Sequence, residues 1–178
     1  GMDDGSQLKV ASNMSSDWGR PQFDDPTADN YATVETSADA TVEARWDPDG
    51  HIRPLKDAVT IDVYDGSIAP GDTITLTLGE TAEGSMGHRA QSFPERGFEL
   101  AVLVDAFESG EPVPLPERLT FDVVAGAARR LLVFAPTNAD PGEAVEVSVR
   151  AEDFWGNTAA GYDAALELRD GDEVHAAV

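Results

Sequence analysis

Pro70-Gly71-Asp72-Thr73-Ile74-Thr75-Leu76-Thr77-Leu78 sets a Pro-Gly turn and an acidic residue ahead of a run that alternates apolar and polar side chains. Alternation at period two places Ile74, Leu76 and Leu78 on one sheet face and the threonines on the other. Thr73, Thr75 and Thr77 suit an outer face, because β-branched side chains pack well on a pleated surface. A second stretch, Pro141-Gly142-Glu143-Ala144-Val145-Glu146-Val147-Ser148-Val149, follows the same template. Another apolar run precedes each across a short link: Thr60 to Val63 in the first case, Leu131 to Phe134 in the second. A strand, Pro-Gly turn and strand occurring twice predicts two copies of one β-sandwich-like element.

Further strands lie on either side. Val42, Ala44 and Trp46 alternate, as do Val59, Ile61 and Val63 before the turn Asp65-Gly66. Phe98, Leu100, Val102 and Val104 repeat the pattern after a long irregular stretch, 79–97. Pro112-Val113-Pro114 reads as extended chain leading into Leu119, Phe121 and Val123. Ala125 to Arg130 reads as a hinge, followed by Leu131 to Ala135, Val145 to Ala151, Tyr162 to Arg169 and a last run from Val174. No stretch sustains a helical period with capping signals. About nine or ten short strands with frequent turns predict an all-β, antiparallel sandwich. Residues 1–6 are expected to be a tag and a disordered or extended lead, Gly1 before Met2 reading as a cloning scar. Residues 7–126 form one nearly complete module. Residues 127–178 form a partial one, since about 50 residues bury too little surface to stand alone; truncation of a larger domain is the favoured reading.

The chain has 34 Asp and Glu against 12 Lys and Arg, a formal charge of −22. That field repels nucleic acid and anionic lipid, so neither is an expected partner. It reads first as a solvated acidic surface and second as a place for cations. The absence of cysteine excludes disulfide scaffolds, zinc ribbons and thiol nucleophiles. No stretch approaches the ~20 apolar residues of a membrane span, and the opening residues lack the basic and apolar regions of a secretory signal. A cytoplasmic location is slightly favoured on these grounds.

The run from Gly142 through Ala151-Glu152-Asp153-Phe154-Trp155-Gly156-Asn157 to Tyr162 resembles the bacterial immunoglobulin-like domains of invasins. In that reading Gly156 and Asn157 tolerate the positive φ of a tight reversal, and Asp153 caps its N–H groups. A wider set of motifs resembles a large uncharacterised bacterial family. They are Ser16-Asp17-Trp18-Gly19-Arg20-Pro21-Gln22, Asp62-Val63-Tyr64-Asp65-Gly66, Pro70-Gly71-Asp72-Thr73-Ile74, Phe98 through Asp105, Pro114-Leu115-Pro116 and Trp155-Gly156-Asn157. The resemblance implies an immunoglobulin-like fold upstream of a domain similar to PHP-type metal-dependent phosphoesterases. It also implies that any catalytic metal cluster lies beyond residue 178, and it carries no catalytic residue, metal ligand or cofactor onto this chain.

His51, His88 and His175 each stand alone, without a ligand at metal-site spacing, and read as loop or surface residues. Asp47-Pro48-Asp49-Gly50 begins like a calcium loop, but no acidic residue closes it, so a β-turn is the better reading. Asp24-Asp25 and Asp170-Gly171-Asp172 read the same way. Ser85, His88 and Glu83 share one Gly-rich loop without a nucleophile-elbow pattern, so they are not expected to act as a triad. Trp46 ends an alternating strand and reads as core. Trp18 and Trp155 lie at turns and are the better candidates for a binding platform. Arg89 and Phe93 complete the candidate surface, although Arg89 to Arg96 is too small a basic patch to favour nucleic acid. The first expectation is therefore a non-catalytic accessory region of a larger protein, partnered by a downstream domain of the same polypeptide. The second is a carbohydrate- or protein-binding module using Trp18, Trp155 or the 79–97 loop. An enzyme with a loop-built site comes third.

Overall fold

The computed structural model describes residues 1–159, 161–170 and 172–177. Among these the chain is all-β, with twelve strands, no helix and antiparallel pairing between every two paired strands. It divides into two compact units, Gly1–Val123 and Val124–Val178.

In the first unit the strands are β1 (Gln7–Ala11), β2 (Ala32–Thr36), β3 (Thr41–Asp47) and β4 (Ala58–Tyr64). They continue with β5 (Ile74–Leu78), β6 (Glu95–Asp105), β7 (Val113–Pro114) and β8 (Leu119–Val123). The main sheet runs β3-β4-β1-β6-β7, with β8 also paired to β6, and β2 pairs with β5 in a second sheet. Residues directly opposite each other share a sheet face. Val42, Ala44 and Trp46 lie opposite Val63, Ile61 and Val59, while Leu8 and Val10 face both Ile61 and Val59 and, across β6, Val104 and Val102. These residues make one continuous apolar face. Ile61 and Val63 are fully buried in it, each worth roughly 1.5–3 kcal/mol against exposure.

The β2–β5 pair covers that face. Ile74, Leu76 and Leu78 lie opposite Thr36, Val34 and Ala32, as their alternation predicts, and Ile74 packs into a cluster with Met2, Val63 and Ile68. On the reverse of the main sheet, Ala11, Ala58 and Leu103 form a smaller cluster under Leu55.

The lead is tied to the first unit. Met2 is buried, its N–H donates to Ile68 O at 2.9 Å, and Ile68 N–H returns a bond to Met2 O at 2.8 Å. An apolar side chain inside an otherwise polar hexapeptide had a place in the core to fill.

The second unit contains β9 (Arg130–Phe134), β10 (Ser148–Glu152), β11 (Glu167–Asp170) and β12 (Glu173–Ala177), in two two-stranded sheets. Its strands are shorter than their apolar runs suggest. Phe134 pairs with Ser148, and Pro136 follows two residues on. Proline has no N–H to donate, so Val145 to Val147 lack a ladder partner despite their alternation. The expected strand from Tyr162 begins only at Glu167. Gly171, centre of the expected Asp170-Gly171-Asp172 turn, is outside the described residues.

The two Pro-Gly stretches are not structural copies. Gly71 and Gly142 both take positive φ, 103° and 85°, as turns of this type require. After Pro70-Gly71, however, the chain changes sheets, so that β5 pairs with β2 and not with β4. Around Pro141-Gly142 the flanking strands β9 and β10 pair with each other. The local template recurs; the topology does not.

Candidate functional site

Between β1 and β2 the chain passes through Ser16-Asp17-Trp18-Gly19-Arg20-Pro21-Gln22, and hydrogen bonds fasten this segment on both sides of Trp18. Gly19 N–H donates to Arg89 O at 2.8 Å, Ser16 Oγ to Gln91 Oε1 at 2.7 Å, and Ser92 N–H to Asp17 Oδ1 at 2.8 Å. Arg89 Nη2 donates to Asp17 O at 2.5 Å. The long loop 79–94 is thereby laced to the Trp18 segment, and Asn30, at φ 62°, accepts Arg89 N–H at 3.0 Å.

Trp18 sits within an aromatic cluster. Its ring stacks on His88 at 5.7 Å between centroids, leans on Phe98 at 5.2 Å and meets Phe121 edge-on at 6.0 Å. Phe98 and Phe121 face each other across β6 and β8. Trp18 is thus a wall of the interior, flanked by other rings. Trp46 lies on the apolar face of the main sheet opposite Val59.

Trp18, Trp46, His88 and Phe121 line a cavity of about 420 Å³, whose other walls include Val10, Val59, Leu78 and Leu100. Ser12, Trp18, Gly19, Trp46 and Asp57 also line a more polar cleft, which Asp17, Arg20, Asn30 and Arg89 complete. Three ring nitrogens around the cavity are buried and have no hydrogen-bond partner in the protein: Nε1 of Trp18, Nε1 of Trp46 and Nδ1 of His88. Burial, helped by the neighbouring Arg89 charge, lowers the pKa of His88 and favours the neutral imidazole.

The other candidates separate from this group. Phe93 is 41% exposed on the 79–94 loop. Ser85 Oγ accepts Gly87 N–H at 3.1 Å while His88 stacks on Trp18, and Glu83 points to solvent, so the loop trio forms no hydrogen-bonded relay. Asp47 to Gly50 is a turn closed by Gly50 N–H on Asp47 O at 3.2 Å. Asp25 Oδ1 caps Thr27 through its N–H and its hydroxyl at 2.9 and 2.8 Å. Among the described residues no three His, Cys, Asp or Glu side chains converge as a metal site. His175 lies on β12, and its side chain is outside the described part.

In the second unit Trp155 is 54% exposed and meets Phe154 edge-on at 5.0 Å. The turn beneath it is organised by Asp153, as the sequence suggests. Asp153 Oδ1 accepts the N–H groups of Trp155 and Asn157, both at 2.9 Å, and Oδ2 accepts Asn157 Nδ2 and Gly126 N–H, both at 3.0 Å. Of the two turn residues only Gly156 takes positive φ, 90°. The Asn157 side chain instead supplies a hydrogen bond. That amide first, then the N–H groups of Gly126, Asn157 and Trp155, hold Asp153 at a pKa of about 2 against the opposing effect of burial.

A carboxylate with a lowered folded-state pKa stabilises above its unfolded pKa, here 3.8, and that contribution fades as pH falls towards the folded value. Protection of the Trp155 and Asn157 amides, taken relative to their intrinsic exchange rates, should therefore fall between about pH 4 and pH 2. Asp153→Ala should show the same loss of protection at pH 7, and full protection in that variant would contradict the assignment.

Glu152 was not singled out by the sequence. Its side chain is 2% exposed, with Arg130 Nη2 at 2.7 Å and Arg150 Nη2 at 2.5 Å. Burial pushes its pKa up, but the two guanidiniums outweigh burial and hold it below the usual carboxylate range. The signal was the register that sets Arg130 opposite Glu152, and register is not readable from a single strand.

Comparison with known proteins adds context. No protein-family model matches the chain. It is 28% identical over 147 residues to an uncharacterised protein of Chlamydia trachomatis serovar D, and 26% identical over 147 residues to one of Chlamydia muridarum. Each match covers 79% of this chain and 23% of the relative, so the chain spans about a quarter of the length of these relatives. No solved structure matches. Among the described residues no helix is long and apolar enough to cross a membrane.

Proposed function

We propose that the 178 residues are a non-catalytic, immunoglobulin-like β-sandwich accessory region whose second unit docks onto another domain of a larger protein. The observation that carries this reading is the apolar face of β9 and β10. Leu131, Val133 and Val149 share that face and are 41%, 60% and 43% exposed, and with Val147, Leu166 and Leu168 they line a cleft of about 360 Å³. Contiguous apolar surface of this kind marks an interaction site. The exposed Phe154–Trp155 pair in the same unit is a second apolar anchor of the type that dominates interfaces.

The length of the chlamydial relatives supports a setting among further domains. The resemblance to sandwich regions that precede PHP-type phosphoesterase-like domains suggests which kind of domain the partner is. Hydrogen exchange on this chain and on the longest natural polypeptide containing it tests the proposal. Amides of 131–134 and 148–152 should gain at least tenfold protection in the longer protein. Equal protection in both would overturn it.

A further inference from the structure

We propose that the cavity beside Trp18 and Trp46 binds a small organic ammonium ion, whose apolar body fills the cavity and whose charged end pairs with the Asp57 carboxylate. At about 420 Å³ the cavity lies within the roughly 300–1,000 Å³ of small-molecule sites, and apolar side chains make most of its wall. Its floor is one end of the main sheet. Ser12 N–H donates to Asp57 O at 3.1 Å, which carries the β1–β4 ladder one pair beyond Ala11 and Ala58. Side chains alternate along a strand, so Asp57 shares the face of Val59, and Ser12 shares the face of Val10. Trp46 lies opposite Val59, which makes Asp57 its diagonal neighbour, a separation of roughly 7–8 Å that a large aromatic side chain spans.

Charge then selects the occupant. Of the described residues in the cavity wall Asp57 alone is charged at pH 7, since burial lowers the pKa of His88 and leaves its ring neutral. Asp57 has no ion pair among the described residues. Lys56 pairs with Asp49, Lys9 donates to Gly50 O at 2.5 Å, and Arg89 is held by Asp17. Arg20 lines only the neighbouring polar cleft and is exposed, where water and salt screen it. A carboxylate at the rim of an apolar cavity is completed by a cation that donates hydrogen bonds. The Ser12 hydroxyl, opposite Asp57, is a second acceptor for an ammonium group. Trp46 Nε1 is buried, so the indole offers ring carbon to the occupant, and tryptophan carbon attracts cations. A metal ion fits poorly: hard cations want clustered oxygens, and no three acidic or histidine side chains converge among the described residues. The formal charge of −22 raises the local concentration of any cation.

The test uses ¹³C-labelled protein at physiological salt and two probes of equal heavy-atom count, 2-phenylethylamine, a cation at pH 7, and uncharged 2-phenylethanol. The amine should shift the ring C–H signals of Trp18 and Trp46 saturably and leave those of Trp155 in place. The alcohol should bind at least tenfold more weakly. Asp57→Asn keeps the shape and removes the charge, and should erase most of that preference. Glu111→Gln removes a charge outside the cavity wall and should retain it. Should Asp57→Asn fail to fold, Overhauser contacts on the unaltered chain decide: the methylene beside the ammonium should approach the Asp57 β-protons. The proposal is overturned by equal affinities, by the absence of a saturable shift at millimolar amine, or by a preference that survives Asp57→Asn. Loss of the preference in Glu111→Gln would overturn it too, because the attraction would then belong to the whole acidic surface.

Discussion

Phe98→Ala should remove about 3–5 kcal/mol from the stability of the first unit, the range for truncating a buried phenylalanine. The side chain is 2% exposed, and its ring centroid lies 5.2 Å from Trp18 and 5.3 Å from Phe121. It therefore holds two things together. One is the β6–β8 pairing, in which Phe98 faces Phe121. The other is the Trp18 segment, whose indole closes the apolar face at that end. Typical domains are stable by only about 5–15 kcal/mol, so the loss would be a third or more of the total. Urea unfolding of residues 1–123 should show the midpoint falling steeply, with the near-ultraviolet dichroism of the tryptophans weakening even before unfolding. Phe98→Leu should cost much less, since it retains most of the buried volume. A loss below about 1 kcal/mol for the alanine variant would mean that the cluster packs without its centre, and the account of the site would fail with it.

The all-β class is legible from β3, β4 and β5 alone, because each alternates cleanly between apolar and polar side chains. Their partners are less so. In β1, Leu8 and Val10 alternate with Gln7 and Lys9 over only five residues, yet this strand is central, between β4 and β6. What makes it central is cross-strand pairing, which one strand cannot announce. The same limit explains the Pro-Gly template. A turn residue states that the chain reverses, not which neighbour the next strand will join.

The site was legible in part. Trp18 stands out as a turn tryptophan, and its segment does carry polar anchors in Ser16 and Asp17. Its reading as a platform gives way to an interior wall because the rings that flank it, His88, Phe98 and Phe121, come from distant positions in the chain. Trp46 reads as core in the sequence, and it does lie on the buried face, but its buried, unpaired ring nitrogen has no counterpart in a sequence pattern. Asp153 was legible because its partners are local, within four residues apart from Gly126. Local hydrogen bonds leave a sequence signature; long-range ones leave none.

Gly79→Ala should destabilise the first unit by about 3 kcal/mol or more, and Gly84→Ala in the same loop by only about 1–2 kcal/mol. Both glycines take positive φ, 81° and 108°, so both substitutions carry the backbone strain of a side chain in that region. They differ in space. A Cβ on Gly79 would lie 2.4 Å from His88 N and 2.9 Å from His88 Cβ, whereas one on Gly84 has no neighbour within 4 Å. The clash at Gly79 is with backbone, so relief requires the 87–89 segment to move. Gly79 cannot retreat freely, because its N–H donates to Tyr31 O at 2.8 Å at the end of β5. Displacing His88 would also shift the ring that stacks on Trp18. The expected result is therefore twofold: a larger fall in urea midpoint for Gly79→Ala, and a changed indole N–H shift for Trp18 in that variant only. Equal midpoints with unchanged Trp18 signals would show that the loop and the cavity wall are not mechanically joined. The close approach of Gly79 to His88 would then have no bearing on the site.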